Sequence, residues 1–127
     1  MVNFIAVGLG GFIGASLRYA FSRSLSPLMP QFPIATLVSN LLAALAIGLW
    51  IGFERQSGAL PLRASLFVTT GLLGGLSTFS TFSLETIKLL ESGEIIKAIG
   101  NIAFNLIFCL IAVYFGLQGG RLLAQTQ

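Results

Sequence analysis

The sequence predicts an all-α membrane protein of four transmembrane helices with a break in the third, and three observations carry that prediction. Only 9% of its 127 residues are charged and 55% are hydrophobic, against about 25% charged in an ordinary soluble domain. Mean hydropathy is +0.93. Charged residues divide the chain into four long uncharged stretches, 1–17, 24–53, 64–84 and 98–120, and about 20 apolar residues suffice to cross about 30 Å of hydrocarbon as a helix. Four spans use almost the whole chain, so residues 1–127 read as a single transmembrane domain. The connections are too short for a water-soluble catalytic domain. The function is expected to lie within a cell (plasma) membrane, among lipid, and not to be enzymatic.

Helix one is predicted over 3–21. No Lys or Arg precedes its apolar run and no small-residue cleavage site closes it before Arg18, so it reads as a retained span and not a signal peptide. Gly10 and Gly14 stand at the small-xxx-small spacing that lets helices approach closely in lipid, which is a packing role. The loop over 22–32 holds Pro27 and Pro30, and Pro33 suits the first turn of helix two. That helix runs to about Phe53. A polar connection over 54–63 contains Gly58 and Pro61. Helix four begins near Lys97 and ends at Gly119 and Gly120.

Helix three is unusual. Gly71, Gly74 and Gly75 weaken a helix, and the hydroxyls of Ser77, Thr78, Ser80, Thr81 and Ser83 offer the backbone competing bonds. A break near mid-membrane is the expectation, and unwound backbone at that depth is tolerated only when buried in protein or lining a cavity. Such breaks mark binding sites in transporters.

Charge placement bears on assembly. In a four-span arrangement Arg55, Arg63 and Arg121 fall on the side of both termini, and Arg18, Arg23, Lys88 and Lys97 on the other. The positive-inside rule therefore gives almost no preferred orientation. Four short spans also enclose little space. Both facts point to a dual-topology, antiparallel homodimer. The basic residues, scattered at span ends, do not form a nucleic-acid surface.

No carboxylate lies inside the uncharged stretches, and Glu54 and Glu85 stand at their ends. A small multidrug-type exchanger, the competing class, lacks the embedded Glu it would need in helix one. A purely structural helical subunit is a third reading. The interior instead offers neutral donors: Thr36, Ser39 and Asn40 in helix two, the hydroxyl run in helix three, and Asn101 and Asn105 in helix four. Spacing of i, i+4 puts Asn101, Asn105 and Cys109 on one face, and Thr36 with Asn40 on another. Phe79 and Phe82 are i, i+3 neighbours among hydroxyls, and ring edges carry the positive end of the aromatic quadrupole. Together these groups suit a small dehydrated anion. Arg18 at the end of helix one is placed either to draw anions or simply to snorkel.

The run Gly71-Leu-Leu-Gly-Gly-Leu-Ser-Thr-Phe-Ser-Thr-Phe-Ser83-Leu-Glu85 resembles the signature of the Fluc (CrcB) fluoride channel family. Gly10-Gly-Phe-Ile-Gly-Ala-Ser-Leu-Arg18-Tyr19 and Thr36-Leu-Val-Ser-Asn40-Leu41 agree with it. The resemblance covers the full chain. It implies a passive, fluoride-selective channel exporting fluoride from the cytoplasm, built as an antiparallel dimer with two pathways. It implies pore-lining roles for Phe79, Phe82 and Asn40, with Ser80 and Thr81 beside the path. It further implies a structural Na⁺ held by the backbone carbonyls of Gly74 and Ser77, two protomers giving four oxygens. Asn101, Asn105 and Cys109 stand where the family's helix-four track has other residue types.

Overall fold

The computed structural model describes residues 1–58 and 60–126, and among them the secondary structure is helical throughout. α1 (Val2–Leu25) ends in a short 3₁₀ turn (Ser26–Leu28), because Pro27 has no N–H to continue the ladder. α2 (Ile34–Ser57) starts one residue after Pro33 and stops at Gly58, whose φ of +94° lies outside what L side chains readily adopt. Both helices outrun their predicted ends by four residues, Leu25 against Phe21 and Ser57 against Phe53. Polar termini extend into water once an apolar span is anchored.

The region predicted as span three is not one helix. It consists of α3 (Leu62–Leu66), a π-helical segment (Phe67–Leu73), α4 (Gly74–Leu76) and, after two extended residues, α5 (Phe79–Glu91). Three helical stretches among the described residues are long and apolar enough to cross a membrane: Val2–Leu28, Ile34–Ser57 and Ile95–Gln125. α5 turns tightly into α6 (Ile95–Gln125). Gly93, with φ +77°, lets its N–H reach the Leu90 carbonyl at 3.0 Å while Glu94 N–H reaches Leu89 at 2.8 Å, a Schellman closure.

α6 runs past Gly119 and Gly120, where the sequence reading stopped it. Those glycines are sites of close approach, not terminators. A Cβ on Gly120 would strike the Leu49 carbonyl and the Phe53 nitrogen of α2, and one on Gly116 would lie 2.5 Å from the Leu45 carbonyl. Gly48 and Gly52 face α6 in the same way, so α2 and α6 meet backbone to backbone. A second seam joins α1 to the π segment and α4, where Gly10 and Gly14 meet the backbone of Phe67 and Leu72, and Gly75 meets Gly11. A Cβ on Gly8 would meet nothing within 4 Å. Large apolar side chains such as Phe4, Phe12, Ile96 and Leu110 point outward. The buried interior mixes apolar and polar side chains, and Asn101 and Ser39 are the largest that are fully enclosed among the described residues.

Candidate functional site

Polar side chains converge where α4 gives way to α5. Ser77 (φ −78°, ψ 153°) and Thr78 (φ −153°, ψ 117°) are extended; the Ser77 N–H still reaches the Leu73 carbonyl at 3.0 Å, but the backbone groups of Thr78 need partners outside the helical ladder. Asn40 supplies them to Thr78. The Thr78 N–H donates to Asn40 Oδ1 at 2.7 Å, and Asn40 Nδ2 donates to the Thr78 carbonyl at 3.3 Å. The Thr78 hydroxyl caps α5 by accepting from the Thr81 N–H at 3.1 Å. In an unbroken helix those two N–H groups would close onto the carbonyls four residues back, Gly74 and Ser77. Both carbonyls thus lose their helical donors.

From Asn40 the contacts continue along α6. Asn40 Nδ2 donates to Asn105 Oδ1 at 2.9 Å. Asn105 Nδ2 reaches both the side-chain and the backbone oxygen of Asn101 at 3.0 Å. Asn101 Nδ2 donates to Thr86 Oγ1 at 2.9 Å, and Thr86 donates to the Phe82 carbonyl at 2.8 Å. Asn101 is 0% exposed. These pairs satisfy amides that would be expensive to bury alone.

Two cavities flank this row. An open groove of about 350 Å³ is lined by Asn40, Thr69, Gly74, Ser77, Thr78, Phe79, Phe82, Asn105 and Cys109 with apolar neighbours. The Phe79 and Phe82 rings stand 5.4 Å apart at 51°, yet they differ in cover, Phe79 being 75% and Phe82 7% exposed. A second cavity of about 230 Å³ is lined by Arg18, Tyr19 and Ser22 of α1, Thr36 and Ser39 of α2, and Thr81 and Glu85 of α5. Thr36 donates to Glu85 Oε1 at 2.9 Å, and Glu85 Oε2 is buried with no side-chain or backbone partner. The Thr78 hydroxyl donates to Thr81 Oγ1 at 3.0 Å and lies 3.3 Å from Ser80 Oγ. Because Thr78 lines the groove and Thr81 the second cavity, that bond bridges the two.

The structure therefore gathers Asn40, Phe79, Phe82, Asn105, Gly74 and Ser77 around the groove, and Arg18 and Thr81 around the second cavity. Ser80 reaches the row through Thr78. Asn101 belongs to the row but does not line the groove. Cys109 shares the groove with Asn105, whereas Thr36 and Asn40, paired by spacing, serve different cavities. The sequence reading passed over Thr86 and left Glu85 at a span end. Their importance emerges only when α5 is packed against α6 and α2.

A protein-family profile described as CrcB-like protein, Camphor Resistance (CrcB), matches residues 5–117. A Ruminiclostridium cellulolyticum protein named fluoride-specific ion channel FluC is 42% identical over 127 residues, 99% of this chain and 95% of the relative. Proteins of the same name from Clostridium perfringens and Pseudomonas putida are similar. The first is 46% identical over 120 residues, 94% of each chain. The second is 40% identical over 115 residues, 91% of each.

Proposed function

The chain belongs to the family of CrcB-like proteins, and from that premise we propose that it is a fluoride-specific ion channel, not an enzyme, in the plasma membrane. The observation that carries this is the match to relatives named fluoride-specific ion channels over almost the whole chain. The groove's chemistry supports it. Stripping water from a small anion is costly unless donors replace it, and the groove sets the Asn40 amide and the Thr78 hydroxyl beside two phenylalanine rings. Donors without fixed charge compensate the anion without trapping it, the condition for conduction.

In this reading the anion enters through the cavity holding Arg18 and passes the hydroxyls of Thr81, Ser80 and Thr78. It then moves between the edges of Phe79 and Phe82, beside Asn40 and Asn105, with Asn101 continuing the row along α6. Transport is passive and carries fluoride out of the cytoplasm. Four spans make up the single domain, residues 62–91 forming a third that is broken at Ser77 and Thr78. Two copies assemble antiparallel with two pathways. The nearly even split of Lys and Arg supports this, as does the exposure of Phe79 on an open groove.

Gly74 and Ser77 are the residues that would hold a structural Na⁺. Their carbonyls, deprived of the Thr78 and Thr81 N–H groups, are hard oxygen donors of the kind unwound helices offer to Na⁺. When bound, the ion would supply a fixed positive charge that ties the copies together.

Efflux from liposomes loaded with fluoride or chloride, with valinomycin carrying K⁺, tests the function. Fast fluoride release with negligible chloride release is expected. Equal release of both anions, or release of neither, overturns the assignment.

A further inference from the structure

The polar row behind the groove closes on itself. We infer that Asn101 and Thr86 are positioning residues, bracing Asn40 and Asn105 from outside the anion's path and fixing the segment that carries both phenylalanines. This rests on the fluoride-channel reading, and it divides the helix-four amides into one at the groove and one behind it.

Backbone groups dictate the direction of every amide in the loop. The Thr78 N–H can only donate, so it faces Asn40 Oδ1 and turns Asn40 Nδ2 toward Asn105 Oδ1. Asn105 must then offer its Nδ2 to Asn101, whose backbone carbonyl can only accept. With Asn101 Oδ1 committed to Asn105, Asn101 Nδ2 is left for Thr86 Oγ1. Thr86 accepts there and sends its own proton to the Phe82 carbonyl, again a pure acceptor. Residues 78–86 complete the ring, and Phe79 and Phe82 both lie on that arc.

Asn101 is out of an ion's reach. It is fully buried, both ends of its amide are used, and it does not line the groove. Asn40 differs. It lines the groove, and its longest bond, 3.3 Å to the Thr78 carbonyl, is one an anion can take over while the bonds to Asn105 and the Thr78 N–H persist. The brace keeps that one donor aimed while it changes partners, the use of a supporting hydrogen-bond shell.

The groups bonded to the Asn101 side chain, Thr86 and Asn105, are neutral. Glu85, beside Thr86 on α5, takes the Thr36 hydroxyl. Lys97, one turn before Asn101, is engaged by Gln31 and Glu94. A charge introduced at position 101 therefore has no partner in place.

Asn101→Asp exploits this. The carboxylate cannot donate to Thr86, whereas the neutral acid donates one O–H to Thr86 and accepts from Asn105, restoring the loop's direction. Fluoride efflux from N101D proteoliposomes, corrected for protein-free leak, should fall at least about tenfold below wild type at about pH 8. It should return reversibly to within about threefold at about pH 5.5 as the acid protonates. Thr86→Val, similar in volume, should lose about tenfold at both pH values with unchanged elution, the unpartnered Asn101 amide lowering its thermal midpoint. N101D equally slow at both pH values, or T86V at the wild-type rate, overturns the inference. If N101D does not fold, T86V alone decides. A wild-type chain that passes no fluoride removes the function and this inference together, whereas conducting variants beside a conducting wild type remove the inference alone.

Discussion

Asn40 and Thr78, 38 residues apart, pair edge to edge: the Thr78 N–H reaches Asn40 Oδ1 at 2.7 Å, and Asn40 Nδ2 returns to the Thr78 carbonyl at 3.3 Å. One side-chain amide thus does for an extended residue what a neighbouring strand would do. Asn40→Asp keeps the acceptor and loses the donors, so fluoride efflux should drop about tenfold or more, with folding retained. Asn40→Ala additionally leaves the Thr78 N–H without its partner and should cost about 1–3 kcal/mol of stability. Efflux with parallel thermal unfolding in detergent checks both. Wild-type flux from the Asp variant removes Asn40 from the pathway.

Phe79→Ile and Phe82→Ile exchange an aromatic edge for an aliphatic surface. Each should reduce fluoride flux by about two orders of magnitude or more if the ring edge contributes a few kcal/mol at the barrier. Phe82, being buried, should also lose thermal stability, while the exposed Phe79 should not. Unchanged flux in both variants places the anion elsewhere.

The seam between α2 and α6 admits no Cβ at Gly120, because the nearest atoms are the backbone of Leu49 and Phe53. Gly120→Ala should lower the thermal midpoint or abolish folded protein, since backbone cannot step aside as a side chain can. Gly8→Ala, with nothing within 4 Å, should be neutral. Size-exclusion profiles and thermal scans of the pair decide it. Equal behaviour of the two variants discredits the seam.

Arg18 lines the cavity with Thr81 and Glu85. If it gathers anions, Arg18→Gln should cut fluoride flux several-fold at low ionic strength and much less near 1 M salt, where screening reaches about 3 Å. A loss independent of salt would assign Arg18 to packing.

If Na⁺ is held as proposed, replacing it by a bulky organic cation on both sides should lower the protein's thermal midpoint and its fluoride flux. The Gly74 and Ser77 carbonyls would then lose the ligand that replaces their diverted N–H donors. Identical midpoints and flux with and without Na⁺ would refute the structural cation.

Much of the candidate site was visible in the residues themselves. The hydroxyl run and the two phenylalanines marked where it would lie, and Ser77 and Thr78 fall inside the stretch whose glycines argued against a continuous helix. The π-helical turns over Phe67–Leu73 were not visible. They accommodate close approach to α1 at Gly10 and Gly14, and composition carries no signal for them. Gly119 and Gly120 read as the end of helix four, and only α2 laid against them shows that they are sites of close approach.

By itself the sequence determined the solvent and the long apolar helices, because transfer into hydrocarbon is summed residue by residue along the chain. It also determined that the interior would offer neutral donors, whereas Glu85, read as standing at a span end, buries its Oε2 beside the Thr36 hydroxyl only through the packing of α5 on α2. Which donor meets which acceptor was decided only in three dimensions. Asn40 and Asn105 are 65 residues apart, and Asn101 and Thr86 belong to different helices. A hydrogen bond exists only within about 0.3 Å of its preferred length. Only the packing of α2, α5 and α6 sets distances that finely, and it is this packing that seats Asn40 at the groove and Asn101 behind it.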